Sequence, residues 1–386
     1  MMESATFLGY RRPNGTVGIR NHVAILAVMD NVNGVVRNLG KLIKGTVPIP
    51  VWYGRGQFGE DDVLFRRTQV GLATNPNIAS VLVISLEKVS AGKVAAAIAE
   101  KGVPVEHLSV QDVGGTVETI AQAMRILQKM VRKASQQRRE PVPLSELTLG
   151  VECGGTDTTS GIASNPALGY VADRVVAAGG KVFLTETSEW MGAEQVLAAR
   201  AVSESVAADI WKSTGRIEAD ARARGVDIRG ANPVPDNIRG GISTLEEKSL
   251  GAIIKGGTTP VCGVLPYATP APTGGLYLMD TAAPAAESMT GIAAGGAQLI
   301  IFSTGQMNIM GCTVAPTIKV TANPRTAARL ADNVDVDVSA MLAGETLQQA
   351  GGRLYGFAKE VCEGTLTSAE IFGDEDIAIS RLQPTV

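Results

Sequence analysis

Short apolar runs that stop at polar residues and give way to helical segments recur along this chain, and no other feature constrains its fold as tightly. HVAILAVM (22–29) reads as a buried strand, followed by Asp30, Asn31 and a helix to about Lys44. Residues 47–53 form a second strand, then the loop GRGQFGEDD (54–62) and a helix through Ala73. SVLVISL (80–86) and VPVEHLSV (103–110) are the third and fourth strands, with AGKVAAAIAEK (91–101) as the helix between them. Residues 116–135 place Val117, Ile120, Met124, Leu127 and Val131 at helical spacing. Strands alternating with helices in this way predict a doubly wound, mainly parallel sheet.

At 386 residues the chain exceeds what one core ordinarily serves. The polar, proline-containing stretch ASQQRREPVPLSE (134–146) is the best linker, which divides the chain into α/β domains at 1–143 and 144–386. The second domain opens on LTLGVECGGTDTTSG (147–161): an apolar strand, a glycine-rich polar loop, then a helix from near Pro166. That order presents groups at the carboxyl end of a sheet, where α/β proteins bind ligands, and the glycines let backbone N–H groups approach an anion. A strand at 181–185, a long helical region over 192–225, a loop at 231–241 and a helix at 244–257 follow. Further strands are expected at 261–267, 275–280, 297–302, 317–321 and 334–338. Both domains are therefore expected to be Rossmann-like.

The formal net charge of -3 supplies no basic patch by composition, so nucleic acid is not an expected partner. No apolar run reaches the length of a membrane span, and MMESATFLGYRR lacks the apolar centre of a signal peptide. Four widely spaced cysteines without a CxxC pair fit a reducing cytoplasm, and two histidines cannot build a multi-histidine cage.

Polar residues collect where strands end: Asp30 and Asn31; Arg55, Gln57, Glu60 and Asp61; Glu87 and Lys88; Asp157; Glu186 and Glu189; Asp280 and Thr281; Gln306 and Asn308. Each alone reads first as a helix cap or turn. Together, on the edge where α/β sites assemble, they point to a site. The charges divide between the halves. Arg20, Arg55 and Lys88 lie in the first, and Asp157, Glu186, Glu189 and Asp280 in the second. Arg20 and Arg55 are the expected anion clamps, since arginine grips carboxylate or sulfonate at two points. Asn21, Gln57, Thr158 and Gln306 are the further substrate-binding candidates. The four carboxylates are candidate oxygen ligands for a divalent ion, and Cys153 and Cys312 are loop thiols that can serve as soft ligands. His22 reads as ligand, base or structural residue. Lys88, Lys248 and Lys319 sit in apolar or small-residue surroundings that suit a base, although Lys248, on a helix, reads first as solvated.

GYRRPNGTVGIRNHV (9–23), ECGGTDTTSGIASNPALG (152–169), ETSEWMGAE (186–194), NPVPDNIRGGISTLEEKSLG (232–251) and GLYLMDT (275–281), with the AGGAQLIIFSTGQ…GC…AP…IK run (294–319), resemble the altronate and galactarate dehydratases. The resemblance implies a lyase that removes a C3 substituent from a small anionic 2-hydroxy acid, a divalent metal such as ferrous iron, and no nucleotide cofactor. In that family a SAF domain of about a hundred residues usually precedes the GYRR motif. Its absence here implies a large subunit that works with a small SAF-domain partner, in an oligomeric assembly. YGRGQFGED (53–61), GLYLMDTAAPAAES (275–288), STGQMNIMG (303–311) and NPRT…VDVDV (323–338) resemble the branch acting on (2R)-3-sulfolactate, which yields pyruvate and sulfite. The dehydratases carry cysteines after the first three strands, where this chain has Asn31, Tyr53 with Gln57, and Lys88. That departure argues against altronate or galactarate as substrate, whereas Cys312 stands where the sulfo-lyase branch is expected to lack a thiol. A sugar-acid dehydratase and a non-catalytic binding or regulatory homologue are the alternatives. Retention of GIRN, TGQ and MDT argues against the latter. Lys88, Lys319 and His22 are the candidate catalytic bases.

Overall fold

The structure, a computed structural model, describes residues 6–228 and 232–382, so the start of the loop expected at 231–241 lies outside the described residues. It is a mixed α/β fold built mainly on parallel sheets. Strands β1 (Thr6–Arg11) and β2 (Val17–Gly18) form an antiparallel pair. Asn14 folds the turn between them by accepting from the Thr16 N–H, and Gly15 takes φ of 86°, which a side chain would resist. Strands β3 (His22–Ala27), β4 (Thr46–Ile49), β5 (Ile78–Ser85) and β6 (Val105–Ser109) make a parallel sheet in the order β4-β3-β5-β6. Every residue of β5 is buried, because helices cover both faces of a parallel sheet and leave no polar side.

Within the expected linker, β7 (Glu140–Pro143) forms and pairs antiparallel with β1. Its prolines are tolerated because it is an edge strand. Phe7, Val17, Ile19 and Val142 then pack into the core beneath the second large sheet, alongside Leu149 and Ile301. That sheet holds β8 (Thr148–Cys153), β9 (Lys181–Leu184), β10 (Val261–Leu265), β11 (Gly275–Met279) and β12 (Leu299–Ser303). β13 (Gly311–Cys312) stands apart, while β14 (Thr317–Thr321) and β15 (Val336–Asp337) complete the sheet and β16 (Glu375–Asp376) pairs with β13. All seven strands run parallel, in the order β10-β11-β9-β8-β12-β14-β15. The helical region expected over 192–225 breaks into Glu194–Ala198 and Glu204–Ala223.

The two parallel sheets share one apolar core, in which Ile25 and Leu82 belong to the same cluster as Ile292, Ile300 and Phe302. Helices Glu60–Ala73 and Ala285–Ala294 pack across the boundary. Their approach requires Gly71, since a Cβ there would stand 2.4 Å from the Ala294 carbonyl oxygen. Asn75 donates to the carbonyls of Ala293 and Ala297, and Asn77 to those of Gln298 and Val314, all buried. The C-terminal segment straps both halves: Ser380 donates to Glu287, and the Leu382 N–H donates to Asp61. No helix among the described residues is long and apolar enough to cross a membrane.

Candidate functional site

At the carboxyl end of β8 the chain buries Glu152 and Cys153, and at that of β9 it buries Thr185 and Glu186. The helix Leu245–Ile253 and the turn Ile254–Gly256 lie over this edge and supply Lys248 and Lys255, two helical turns apart and so on one face. Their partners, Glu186 and Glu189, are spaced by one turn. Lys255 is 0% exposed; its Nζ donates to Glu186 Oε2 and lies 3.0 Å from Cys153 Sγ. Glu186 also accepts the Cys153 N–H at 3.1 Å. Its backbone is left-handed, at φ 65°, a strained conformation for a non-glycine residue that the surrounding contacts hold in place. Glu152 accepts from Ser288 Oγ at 2.6 Å and Thr185 Oγ1 at 3.0 Å, while its Oε1 has no hydrogen-bond partner.

The electrostatics follow from burial. Removal from water, then the proximity of Glu186, pushes the Glu152 carboxyl well above the usual range, so it holds its proton. Burial raises Glu186 as well, opposed by Lys255. For Lys255 burial works toward neutrality, but the acidic groups around it, with Glu186 in contact and Glu189 nearby, outweigh it and keep the ammonium charged. Burial, reinforced by Glu186, pushes the Cys153 thiol up, so it is a thiol and not a nucleophilic thiolate.

The second pair faces a pocket. Lys248 Nζ lies 2.9 Å from Glu189 Oε1 and donates to Asn232 Oδ1 at 2.6 Å. Glu189 Oε2 and Asn232 Nδ2 are buried without hydrogen-bond partners. Ser188, Glu189, Met191, Asn232, Leu245 and Lys248 line a cavity of about 260 Å³. Through Ser188, Ile217 and Ala283 it adjoins a cleft of about 1000 Å³ between the helix Glu60–Ala73 and the carboxyl ends of β10 and β11. Arg67, Arg216, Asp280, Thr281, Glu287 and Arg381 are among the residues lining that cleft. Asp280 is gripped by Arg216 at 2.7 and 2.9 Å and accepts from Thr187 Oγ1. A charged pair with a spare oxygen, beside an open cleft, can take and return a proton.

The residues singled out in the sequence divide accordingly. Glu186, Glu189, Asp280 and Thr281 meet around the turn Thr187–Glu189: the Glu186 N–H donates to Thr281 Oγ1, and Thr187 to Asp280. Asp157 belongs to a separate crevice between the ends of β8 and β12, where it accepts from Thr159, Ser160 and Asn323. Gly305 packs so closely there that a Cβ would stand 2.3 Å from the carboxyl carbon. Thr158 and Gln306 border that crevice, donating to the carbonyls of Gly240 and Asp236. The four carboxylates therefore do not converge as an ion's ligands. Glu186, Glu189 and Asp280 are each taken by a different cation of the chain, and among the described residues no group of three or more His, Cys, Asp or Glu could hold a metal ion. The donor set does not fit a divalent ion.

Several expectations are corrected by position. Arg20, Asn21 and His22 lie at the amino end of β3, the edge opposite the site. Arg20 is 6% exposed and spends its guanidinium on Glu370, at 2.7 and 2.9 Å, and on the carbonyls of Ile19, Val361 and Thr365. Asn21 is held between Arg12 and the Ala134 carbonyl. Burial, then Arg20, lowers His22 to about 4, which leaves it neutral at physiological pH. Arg55 is exposed, 3.7 Å from Asp30, and Gln57 accepts from the Gly54 N–H of its own loop. Neither lines the cleft. Lys88 is exposed on the first turn of its helix, capped by Glu87. Lys319 has the lowered value expected of a base, about 7, caused by burial. Its Nζ, however, is committed to the Met310 carbonyl and lies over the Phe302 ring at 3.6 Å, away from either cavity. Cys312 is buried on β13, its thiol pushed up to about 11 by desolvation.

Sequence reasoning passed over Glu152, Lys255 and Arg67 and read Lys248 as solvated. The lysine signal was present in TLEEKSLGAIIKGG: both lysines sit at the spacing of one helical face, among small and apolar residues. Glu152 and Arg67 carry no comparable local signal.

Residues 144–385 match the family described as D-galactarate/Altronate dehydratase, C-terminal, and residues 9–135 match D-galactarate dehydratase/Altronate hydrolase, second domain. Over 385 residues the chain is 41% identical to (2R)-sulfolactate sulfo-lyase subunit beta of Chromohalobacter salexigens, spanning 99% of this chain and 98% of that protein. It is 34% identical over 334 residues to altronate dehydratase of Bacillus subtilis, covering 83% of this chain and 66% of that one. For altronate dehydratase of Escherichia coli the identity is 32% over 383 residues, covering 96% and 77%.

Proposed function

The chain belongs to the D-galactarate/altronate dehydratase family and is a lyase, and from that premise we propose that it eliminates sulfite from (2R)-3-sulfolactate to give pyruvate. The observation that carries the chemistry is the Glu189–Lys248 pair, a buried ion pair with one carboxylate oxygen unspent on the wall of a pocket. Glu189 Oε2 takes the C2 proton. The electron pair of that C–H bond forms the C2–C3 double bond, and the C3–S bond breaks with its pair leaving on sulfite. The resulting enol takes a proton at C3 and becomes pyruvate. The Lys248 ammonium stabilises the charge that builds at the substrate carboxylate as the C2 proton leaves.

The sulfonate substrate is supported by the near-complete span shared with the sulfo-lyase subunit. A second reading, elimination of water from a sugar acid, is supported by the size of the cleft, about 1000 Å³, more than a three-carbon acid fills. The relative is named a subunit beta, which supports action in a complex. We infer a small SAF-domain partner, and four cysteines free of disulfides fit a cytoplasmic enzyme. The test is product release from (2R)-3-sulfolactate, altronate and galactarate by the chain alone and with the small subunit. Pyruvate with equimolar sulfite supports the reading; a 2-oxo acid from the sugar acids only replaces it with the second. No product from any of them leaves a binding or regulatory role.

A further inference from the structure

Three arginines line the large cleft, and their partners differ. Arg216 is committed to Asp280 through two contacts. Arg381 is exposed, with its guanidinium over the Tyr53 ring at 4.8 Å. Arg67 has no ion pair among the described residues. Its neighbour Arg66 takes Asp62 at 3.4 Å one turn back, and Asp61 is taken by the Leu382 N–H. Arg67 Nε is buried and has no hydrogen-bond partner. A buried guanidinium N–H without an acceptor is costly, and the rest of this guanidinium, on a side chain that lines the cleft, makes no hydrogen bond among the described residues either, which points to an acceptor that arrives with a ligand. Desolvation already weakens the hold of Arg67 on its proton, so an anion there restores what burial removes.

We propose that Arg67 is the anion-recognising residue of the cleft, gripping the sulfonate of the substrate, and the sulfite formed from it, through its planar fork. The identity of the anion rests on the lyase reading above; the existence of an anion site does not. Carboxylates on the same wall, Glu60, Asp280 and Glu287, limit the site to one anionic group at the arginine. Asp280 is neutralised by Arg216, and Glu287 accepts from Ser380 Oγ at 2.7 Å. The pocket that Lys248 lines adjoins this cleft through Ser188, Ile217 and Ala283.

The experiment titrates the 386-residue chain with sulfite and with pyruvate in a calorimeter, using wild type, Arg67→Gln, Arg67→Lys and, as an exposed-arginine control, Arg55→Ala. Urea denaturation of each variant verifies the fold. We expect Arg67→Gln to weaken sulfite binding by roughly tenfold or more, with pyruvate affinity within about twofold of wild type. Arg67→Lys should recover only part of the loss, because an ammonium lacks the fork. Arg55→Ala should bind as wild type. Undiminished sulfite binding by Arg67→Gln, or no sulfite binding by the wild-type chain, overturns the anion site whatever the substrate. A selective loss of pyruvate binding overturns the sulfonate assignment. Arg67-dependent sulfite binding in a chain that releases no sulfite from sulfolactate even with the small subunit present leaves the anion site standing and removes the substrate reading.

Discussion

The four-stranded and seven-stranded sheets present the same kind of edge, yet their charges live in different media. At the carboxyl edge of the first, Arg55 and Asp30 stand 3.7 Å apart, with side chains 67% and 39% exposed, and Lys88 is in water. At that of the second, Lys255 and Glu186 are 0% and 2% exposed, and Lys248 and Glu189 are nearly as covered. The difference arises from what lies over each edge. The helix Leu245–Ile253 and the turn Ile254–Gly256 that follows it roof the second edge and carry two lysines down onto two carboxylates. An exposed pair is screened and contributes little, whereas breaking a buried one strands a charge. Topology therefore selects where a site can stand, and the cover over the edge decides whether its charges matter.

The sharpest way to break this comparison is Glu189→Gln. If the buried pair does the proton transfer, kcat should fall by about 10²- to 10⁴-fold in a protein that still unfolds cooperatively, at a lower urea midpoint because Lys248 is left charged opposite a neutral amide. A variant that retains wild-type kcat on every substrate the chain turns over removes Glu189 from the chemistry. Next in size is Lys255→Met, which leaves Glu186 charged and unpaired in the core. Equilibrium unfolding should show a loss of roughly 3–5 kcal/mol, against less than about 0.5 kcal/mol for Lys88→Met at the exposed edge. Equal losses would mean that burial is not the distinction.

A smaller effect sharpens the contrast through pH. Glu152 holds its proton in the native state well above its ordinary range, while the unfolded chain releases it above about pH 4.5. Its contribution to stability is thus fully present below that pH and is lost as pH rises toward the folded value. Glu152→Gln mimics the protonated form, so it should flatten the decline in stability, with its advantage over wild type greatest at alkaline pH. Melting curves across pH 5 to 9 check this; a variant curve parallel to wild type would place the proton elsewhere. The smallest effect is expected at Arg55→Ala, whose kcat/KM should stay within about twofold of wild type, because its guanidinium is in water and off the cleft wall.

Much of the fold was legible because periodicity is local. Runs such as HVAILAVM and SVLVISL predicted β3 and β5, and the strands expected near 275–280 and 317–321 form as β11 and β14. The short strand β7 inside the expected linker 134–146 was not legible, because an edge strand tolerates prolines and gives no apolar alternation. The motif analysis found one side of each buried pair, Glu186 and Glu189, since acidic residues after a strand stand out. Arg20 stood out for the same reason and is structural, because its donors meet Glu370 and Val361, hundreds of residues away in the chain.

The sequence by itself determined the alternation of strands and helices, the carboxyl-edge location of polar residues and membership in a family of lyases. Only the tertiary structure decided which of those polar residues are partners. Lys255 reaches Glu186, Lys248 reaches Glu189, and Arg216 rather than an ion takes Asp280. Arg67 is left facing the cleft because Arg66, its neighbour in the chain, claims the nearby acid. The physical reason is that periodicity acts over a few residues of chain, whereas a charge takes its strength from burial and from partners that only the folded chain brings together.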